Sequence, residues 1–328
     1  MLHESILSAY KVLEGAELDR ETAAALLRLK GPDLLDLISL ANKVRLRFAA
    51  EPHLCSIVNA KSGACPEDCR YCAQSLATDA PSEVFPLVSE ETILAAAGAA
   101  RENGALCFCI VTSGRGYPEE NFEFRRILAA ADAVRARYPD LNLGASLGNL
   151  SGATARALAD HGVTFYNHNL QVNPARYGDL VATTHGAAER METIRHLKAC
   201  SVRVCSGGIF GLGESAEDRL ELALALKALD VDVVPLNVLI PIPGTPLQDQ
   251  DAVTMPEVAK ALALFRLVLP RKVIKFAAGR ETRCRDFQGL LLLSGPNGFL
   301  TGGYLTTRGR PVAEDRSLLH ELGEFDAR

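Results

Sequence analysis

The segment Cys65-Pro-Glu-Asp-Cys69-Arg-Tyr-Cys72 places three thiols within eight residues, in a C-x3-C-x2-C spacing. Three thiolates held this close favour a soft metal. Structural zinc is usually bound by four ligands, often as two paired dyads. Three local cysteines suit a cubane 4Fe–4S cluster instead, with one iron left without a protein ligand. An open iron can take a small molecule through its amine and carboxylate groups. The competing readings are a zinc site completed from elsewhere in the chain, and cysteines that hold nothing.

The cysteine count sharpens the choice. Nine are present, at 55, 65, 69, 72, 107, 109, 200, 205 and 284. The number is odd, and a chain of 328 residues does not need disulfide staples. The N-terminal stretch MLHESILSAYKVLEGAELDR carries early acids and no apolar core, unlike a secretory signal. A cytoplasmic protein is therefore expected, and in that compartment clustered cysteines indicate metal or redox chemistry. The net charge of −5 offers no basic footprint for nucleic acid. No run of 18 apolar residues occurs, so no membrane span is expected.

The elements that must position these thiols alternate along the chain. Short β-rich segments fall at 54–59, 106–112, 142–147, 163–168, 202–208, 233–239, 273–277 and 298–301. Helical patterns separate them at 89–103, 121–137, 151–161, 186–199, 215–229, 256–268 and 281–293. Ser89 with Thr92, and Ser215 with Asp218, read as N-terminal caps. Eight strands trailed by helices predict a parallel sheet closed into a (β/α)8 TIM-type barrel, with a doubly wound open sheet as the rival. Residues 1–50 read as two or three helices packed on that barrel, 51–305 as the barrel and 306–328 as a polar, charged tail. The cysteine loop then follows the first strand, at the barrel end where active sites collect.

Longer blocks carry a resemblance. NAKSGACPEDCRYCAQS (59–75), YNHNL (166–170), VCSGGIFGLGE (204–214), VPLNVL (234–239), GTPL (244–247) and AGRE (278–281) resemble the biotin synthase family of radical S-adenosylmethionine (SAM) enzymes. The resemblance runs from about residue 5 to 323. It implies that Cys65, Cys69 and Cys72 bind a 4Fe–4S cluster whose fourth iron is chelated by SAM. Tyr71 would pack near the adenine. Asn169 and Gln171 would meet the ribose and the substrate, although Gln171 stands where some members have an acid. Arg190 would steady the SAM carboxylate, and Ser113, in TSG after the second strand, would border the SAM amino and carboxylate groups. Asn237 would contact the cyclic urea of dethiobiotin, and Thr306 and Thr307 its carboxylate. The implied chemistry is reductive cleavage of SAM to methionine and a 5′-deoxyadenosyl radical. Two hydrogen abstractions and sulfur insertion would convert dethiobiotin to biotin. Flavodoxin or ferredoxin would supply electrons, and the enzyme would be a homodimer.

The family's second cluster, usually 2Fe–2S, would be the sulfur donor, and here the match is partial. Cys109 and Cys205 match its second- and fifth-strand ligands. The third-strand cysteine is replaced by Gly144, and the seventh-strand arginine by Lys275. The sequence offers replacements. Cys107 and Cys109 are two apart on one strand and share a face. Cys55 lies on the first strand. An auxiliary cluster held by Cys55, Cys107, Cys109 and Cys205, of 4Fe type, is expected in place of the 2Fe–2S form. The alternative makes Cys55 and Cys107 small core residues. Cys200 and Cys284 read as structural, and His168 as facing the outer helices. Two rival functions stand beside sulfur insertion: a related radical SAM mutase or metal-cofactor maturase, and a non-catalytic iron–sulfur scaffold.

Overall fold

The β-rich segments become eight parallel strands: β1 (His53–Lys61), β2 (Cys107–Thr112), β3 (Asn142–Ser146), β4 (Phe165–Asn167), β5 (Arg203–Cys205), β6 (Val233–Val238), β7 (Val273–Phe276) and β8 (Gly298–Leu300). The computed structural model that defines them describes residues 1–301 and 310–326. Each strand pairs with the next, and β8 returns to β1, so the sheet closes. The (β/α)8 expectation holds and the open sheet is excluded. Strands sheathed by helices outside and filled inside read as near-continuous apolar runs. All six residues of β6 are buried, and only Asn237 among them carries a polar side chain.

The outer helices Glu90–Glu102, Phe122–Arg137, Gly152–Asp160, Ala187–Ala199, Ala216–Ala228 and Met255–Val268 lie where the patterns put them. Ser89 and Ser215 cap as expected, accepting from the amides of Thr92 and Asp218. Helix Met255–Val268 is buried over its last eleven residues. The reason is the N-terminal helix Pro32–Phe48, which lies across it. Two shorter helices, Glu4–Ala9 and Arg20–Leu26, precede Pro32–Phe48.

Three elements differ from the sequence reading. The helix expected over 281–293 is broken into Arg280–Arg283, a 3-10 turn Arg285–Phe287 and Gln288–Leu293. Arg285 enters the left-handed region at φ 37°, which a helix does not continue through. The polar tail contains a helix, Val312–Asp326. Leu318, Leu319 and Leu322 pack its inner side on the core. Asp315 accepts from the fully buried Arg280 at 2.9 Å, and Asp326 pairs with Arg45. The strand expected over 202–208 stops at Cys205, and a separate short strand, Gly208–Phe210, pairs with β6.

Gly207 explains that break. A Cβ on it would stand 1.8 Å from the Pro235 carbonyl oxygen, so only glycine lets the chain turn this close to β6. Gly207→Ala is expected to cost about 3 kcal/mol, as an overpacked core substitution does. Gly178→Ala has no atom within 4 Å to meet, and should stay within about 0.5 kcal/mol of the parent. Urea unfolding of the two variants reads the difference, and equal stabilities would contradict this account.

Candidate active site: two stacked cavities in the barrel

The cysteine loop leaves β1 and folds back on itself. The Cys65 amide donates to the Gln74 carbonyl at 3.0 Å, and the Leu76 amide to the Cys65 carbonyl at 2.8 Å. Inside that loop the Cys72 amide donates to the Cys69 carbonyl at 3.0 Å. All three cysteines are half-buried and free. Burial, and then the neighbouring Cys72 and Cys65 sulfurs, push the Cys69 thiol up to about 12. Burial likewise raises Cys72, with Cys65 adding to it. Thiols that crowd and desolvate one another this way ionise readily only when a cationic centre joins them. Among the described residues no three His, Cys, Asp or Glu side chains close on a single metal ion. A cubane takes each thiolate on a different iron, so its ligands stand wider apart than those of one ion. The donor set fits that group.

Acidic residues inside the loop anchor it to the chain beyond β4. Asp68 accepts from the amides of Thr183 and Thr184 at 2.9 and 3.1 Å. Glu67, buried, holds His185 Nδ1 at 2.6 Å. With that nitrogen donating, Nε2 accepts from the Tyr177 hydroxyl at 2.9 Å and from Arg190 at 3.3 Å. Arg190 also donates to the Tyr177 hydroxyl at 2.6 Å and to the Asn169 carbonyl at 3.0 Å. The Cys69 sulfur lies 4.0 Å from His185 Nε2, so this network sits directly beneath it. Glu67, Tyr177 and His185 were not singled out in the sequence. Glu67 lies within the cysteine motif, but its partner is 118 residues away, and no local pattern joins them.

Above the barrel interior is a cavity of about 270 Å³, lined by Tyr71, Cys72, Asn169 and Gln171 among others. Gln171 takes a left-handed φ of 69°, aiming its amide inward. Its Nε2 donates to the Tyr71 hydroxyl at 2.7 Å, while its buried Oε1 has no partner. An orphaned acceptor in a cavity wall suits a ligand hydroxyl.

Below lies a second cavity, of about 110 Å³, and Cys55, Cys107, Cys109 and Cys205 all line it. The strand register shows why. Cys55 is directly opposite Cys107 across the β1–β2 ladder, and Cys109 is opposite Gly144 on β3. Cys55 and Cys107 are therefore lateral neighbours. A Cβ on Gly144 would approach both the Cys107 and the Cys109 sulfurs to 3.4 Å, so glycine keeps the space beside them open. Lys275 Nζ donates to the Cys55 sulfur at 2.6 Å. The Cys107 thiol, and then Lys275 and His53, hold Cys55 well below the usual thiol range against the effect of burial. Burial pushes Cys205 up to about 12 and raises Cys109 as well. Ser146, Asn167, Asn169 and Asn237 line both cavities, so the two adjoin along a shared wall.

The remaining expected residues are distributed less simply. Asn237 lines both cavities, but its amide already bridges the Gly208 carbonyl and the Ala278 amide, each at 2.9 Å. Ser113 lies outside the upper cavity and donates to the Gly63 carbonyl at 2.7 Å, which ties β2 to the cysteine loop. Thr306 and Thr307 lie outside the described residues. Cys284 is fully buried in the core and Cys200 half-buried against it. His168 faces the helices, buried, with Nε2 unpartnered.

Comparison with known proteins agrees with this construction. The Radical SAM superfamily model matches residues 60–226, and the Biotin and Thiamin Synthesis associated domain matches 235–324. Among solved structures, methylornithine synthase (PylB) superposes with a TM-score of 0.82 at 20% identity, over 98% of this chain and 97% of that one. The FeFe-hydrogenase maturase HydG from Carboxydothermus hydrogenoformans gives 0.79 at 18%, over 98% of this chain and 78% of its own. At such identities the likeness is one of fold. Together these define a radical SAM barrel enzyme. Biotin synthase of Chlorobium phaeovibrioides is 53% identical over 326 residues, covering 99% of this chain and 98% of the relative. That of Chlorobaculum tepidum is 52% identical over 328 residues, with the same coverage. The chain belongs to the biotin synthase family, whose chemistry is biotin synthesis by a radical SAM mechanism with a 4Fe–4S cluster and SAM. No helix among the described residues is long and apolar enough to cross a membrane.

The histidines supply a pH prediction. Burial, and then Arg190, hold His168 well below its ordinary range. The unfolded chain therefore binds a proton below about pH 6.5 that the folded chain refuses, and stability falls as pH drops. His185 is lowered by burial and Arg190 in the same direction. Unfolding free energy should fall by about 1 kcal/mol per pH unit below pH 6.5 for each such histidine. His168→Met should flatten the slope in equilibrium unfolding at pH 7.5 and 5.5. An unchanged slope would contradict the assignment.

Proposed function

We propose that this chain inserts sulfur into dethiobiotin to form biotin, drawing the sulfur from an iron–sulfur centre held by Cys55, Cys107, Cys109 and Cys205. The observation that carries the reading is the convergence of these four thiols on one cavity that shares wall residues with the cavity below the cysteine loop. Four thiolates complete an iron–sulfur centre without Lys275, whose protonated amine has no lone pair for iron.

Cys65, Cys69 and Cys72 would hold the 4Fe–4S cluster, leaving one iron for the amine and carboxylate of SAM. Bound there, cluster and SAM supply a 5′-deoxyadenosyl radical that removes hydrogen from unactivated C–H bonds. The chain's own residues do the rest. The Gln171 Oε1 accepts from a ribose hydroxyl, and Tyr71 flanks the nucleoside. Asn169 lines both cavities. Arg190 keeps the rim in place through Tyr177 and the Asn169 carbonyl, and its charge is the one assigned to the SAM carboxylate. Ser113 supports the site from outside, through Gly63. Asn237, braced on both sides, fixes the wall against which the substrate's cyclic urea lies, and Thr306 and Thr307 are assigned to its carboxylate. Cys109 and Cys205 border the sulfur that is transferred. Held in a closed barrel, the reacting carbon is kept near and water is excluded.

Sulfur insertion rather than rearrangement or scaffolding is supported by the deep thiols, which neither rival requires. A reducing, cytoplasmic setting is supported by nine free cysteines. A flavodoxin or ferredoxin as one-electron donor, and a homodimeric state, complete the proposal. Light scattering of the purified protein reads the dimer.

Anaerobically reconstituted protein, given SAM, dethiobiotin and a reductant, is expected to yield biotin with two SAM consumed. Absence of biotin alongside vigorous SAM cleavage would overturn sulfur insertion. Cys69→Ala should abolish SAM cleavage, whereas Cys107→Ala should retain it and lose biotin. Gln171→Leu, by removing one buried hydrogen bond to SAM, should raise its KM about tenfold; chromatography of 5′-deoxyadenosine reads each.

A further inference from the structure

Lys275 is a buried cation with an unusual set of neighbours. It is 6% exposed and lines the deep cavity. Among the described residues that line this cavity, none is a carboxylate. Its ammonium donates to the Cys55 sulfur at 2.6 Å, and its charge is felt by Cys55, Cys205 and Cys107. His53 Nδ1 lies 3.5 Å from the same sulfur.

An ammonium removed from water is costly unless an anion accompanies it. With no carboxylate in the wall, the countercharge falls to the Cys55 sulfur and to whatever the cavity's thiolates hold. Four thiolates around an iron–sulfur core supply a net negative charge. Lysine cannot complete the ligand set itself, because its protonated nitrogen has donors only. It acts on such a centre through charge and through one hydrogen bond to a ligand sulfur. Both favour the more reduced, more negative state, and cluster potentials respond to charge and to hydrogen bonds at sulfur.

We propose that Lys275 is a positioning residue that balances the charge of an all-thiolate centre in the barrel interior, orients Cys55 as its ligand and raises its reduction potential. The proposal rests on the deep-site reading above, and the experiment separates the two. Wild type, Lys275→Met and Lys275→Arg are reconstituted anaerobically, their iron and sulfide are counted, and both centres are followed by EPR-monitored redox titration. Wild type should hold about eight irons per chain. About four would overturn the deep site, and this proposal with it.

At full iron content, Lys275→Met should move the deep couple to a more negative potential and leave the shallow couple in place. Lys275→Arg should keep the deep couple near wild type. A deep couple unmoved in Lys275→Met would overturn the role of Lys275 while leaving the deep site standing. If Lys275→Met loses the deep centre, retention in Lys275→Arg supports the proposal, and loss in both variants overturns it. Lys275→Gln takes the place of Lys275→Met, with the same expected outcomes, if circular dichroism shows the latter unfolded.

Discussion

Side chains on a strand alternate between faces, and in a closed parallel barrel one face is the interior. That single constraint organises the site. On β1 it sends Cys55 inward, and on β2 it sends Cys107 and Cys109 inward together. The in-register pairing of Cys55 with Cys107 then makes neighbours of thiols that lie 52 residues apart, counted from their positions. A slip of one residue in that ladder would turn the Cys55 thiol out toward the helices and leave Lys275 without its partner.

The barrel's apolar sheath makes this arrangement durable and also demanding. Polar groups inside it must find partners, and most do: Asn237 bridges two backbone groups, and Arg190 and His185 share Tyr177. One exception stands in a cavity wall: the buried Gln171 Oε1 has no partner. An unsatisfied acceptor there fits a site completed by a ligand.

Glycines serve the same geometry at close quarters. Gly207 lets the chain after β5 pass against Pro235, and Gly144 leaves room beside two sulfurs. The resemblance implies a cysteine at the place of Gly144, and on the proposed reading its loss is balanced by the thiols of Cys55 and Cys107. One sulfur is withdrawn from β3 and others are presented from β1 and β2, around the same void.

Much of this was legible in the residues. The alternation of β-rich and helical stretches was enough for eight strands and a closed barrel, because buried parallel strands are short apolar runs with punctuation on both sides. The cysteine loop was likewise readable, and spacing within a strand set Cys107 and Cys109 on one face; that this face is the interior, with Cys55 and Cys205, came from the family resemblance. The broken helix near Arg285 and the helix at Val312–Asp326 were not. The first turns on the left-handed Arg285, and the second is tied to the body by contacts such as Arg280 with Asp315. The same holds for Glu67 with His185 and Lys275 with Cys55, pairs separated by 118 and 220 residues. Sequence alone determined the periodicities and the ligand types, which are local properties of the chain. Only the tertiary structure decided which charges and sulfurs meet, because contacts across the barrel depend on register and closure, and neither leaves a mark in any short stretch of residues.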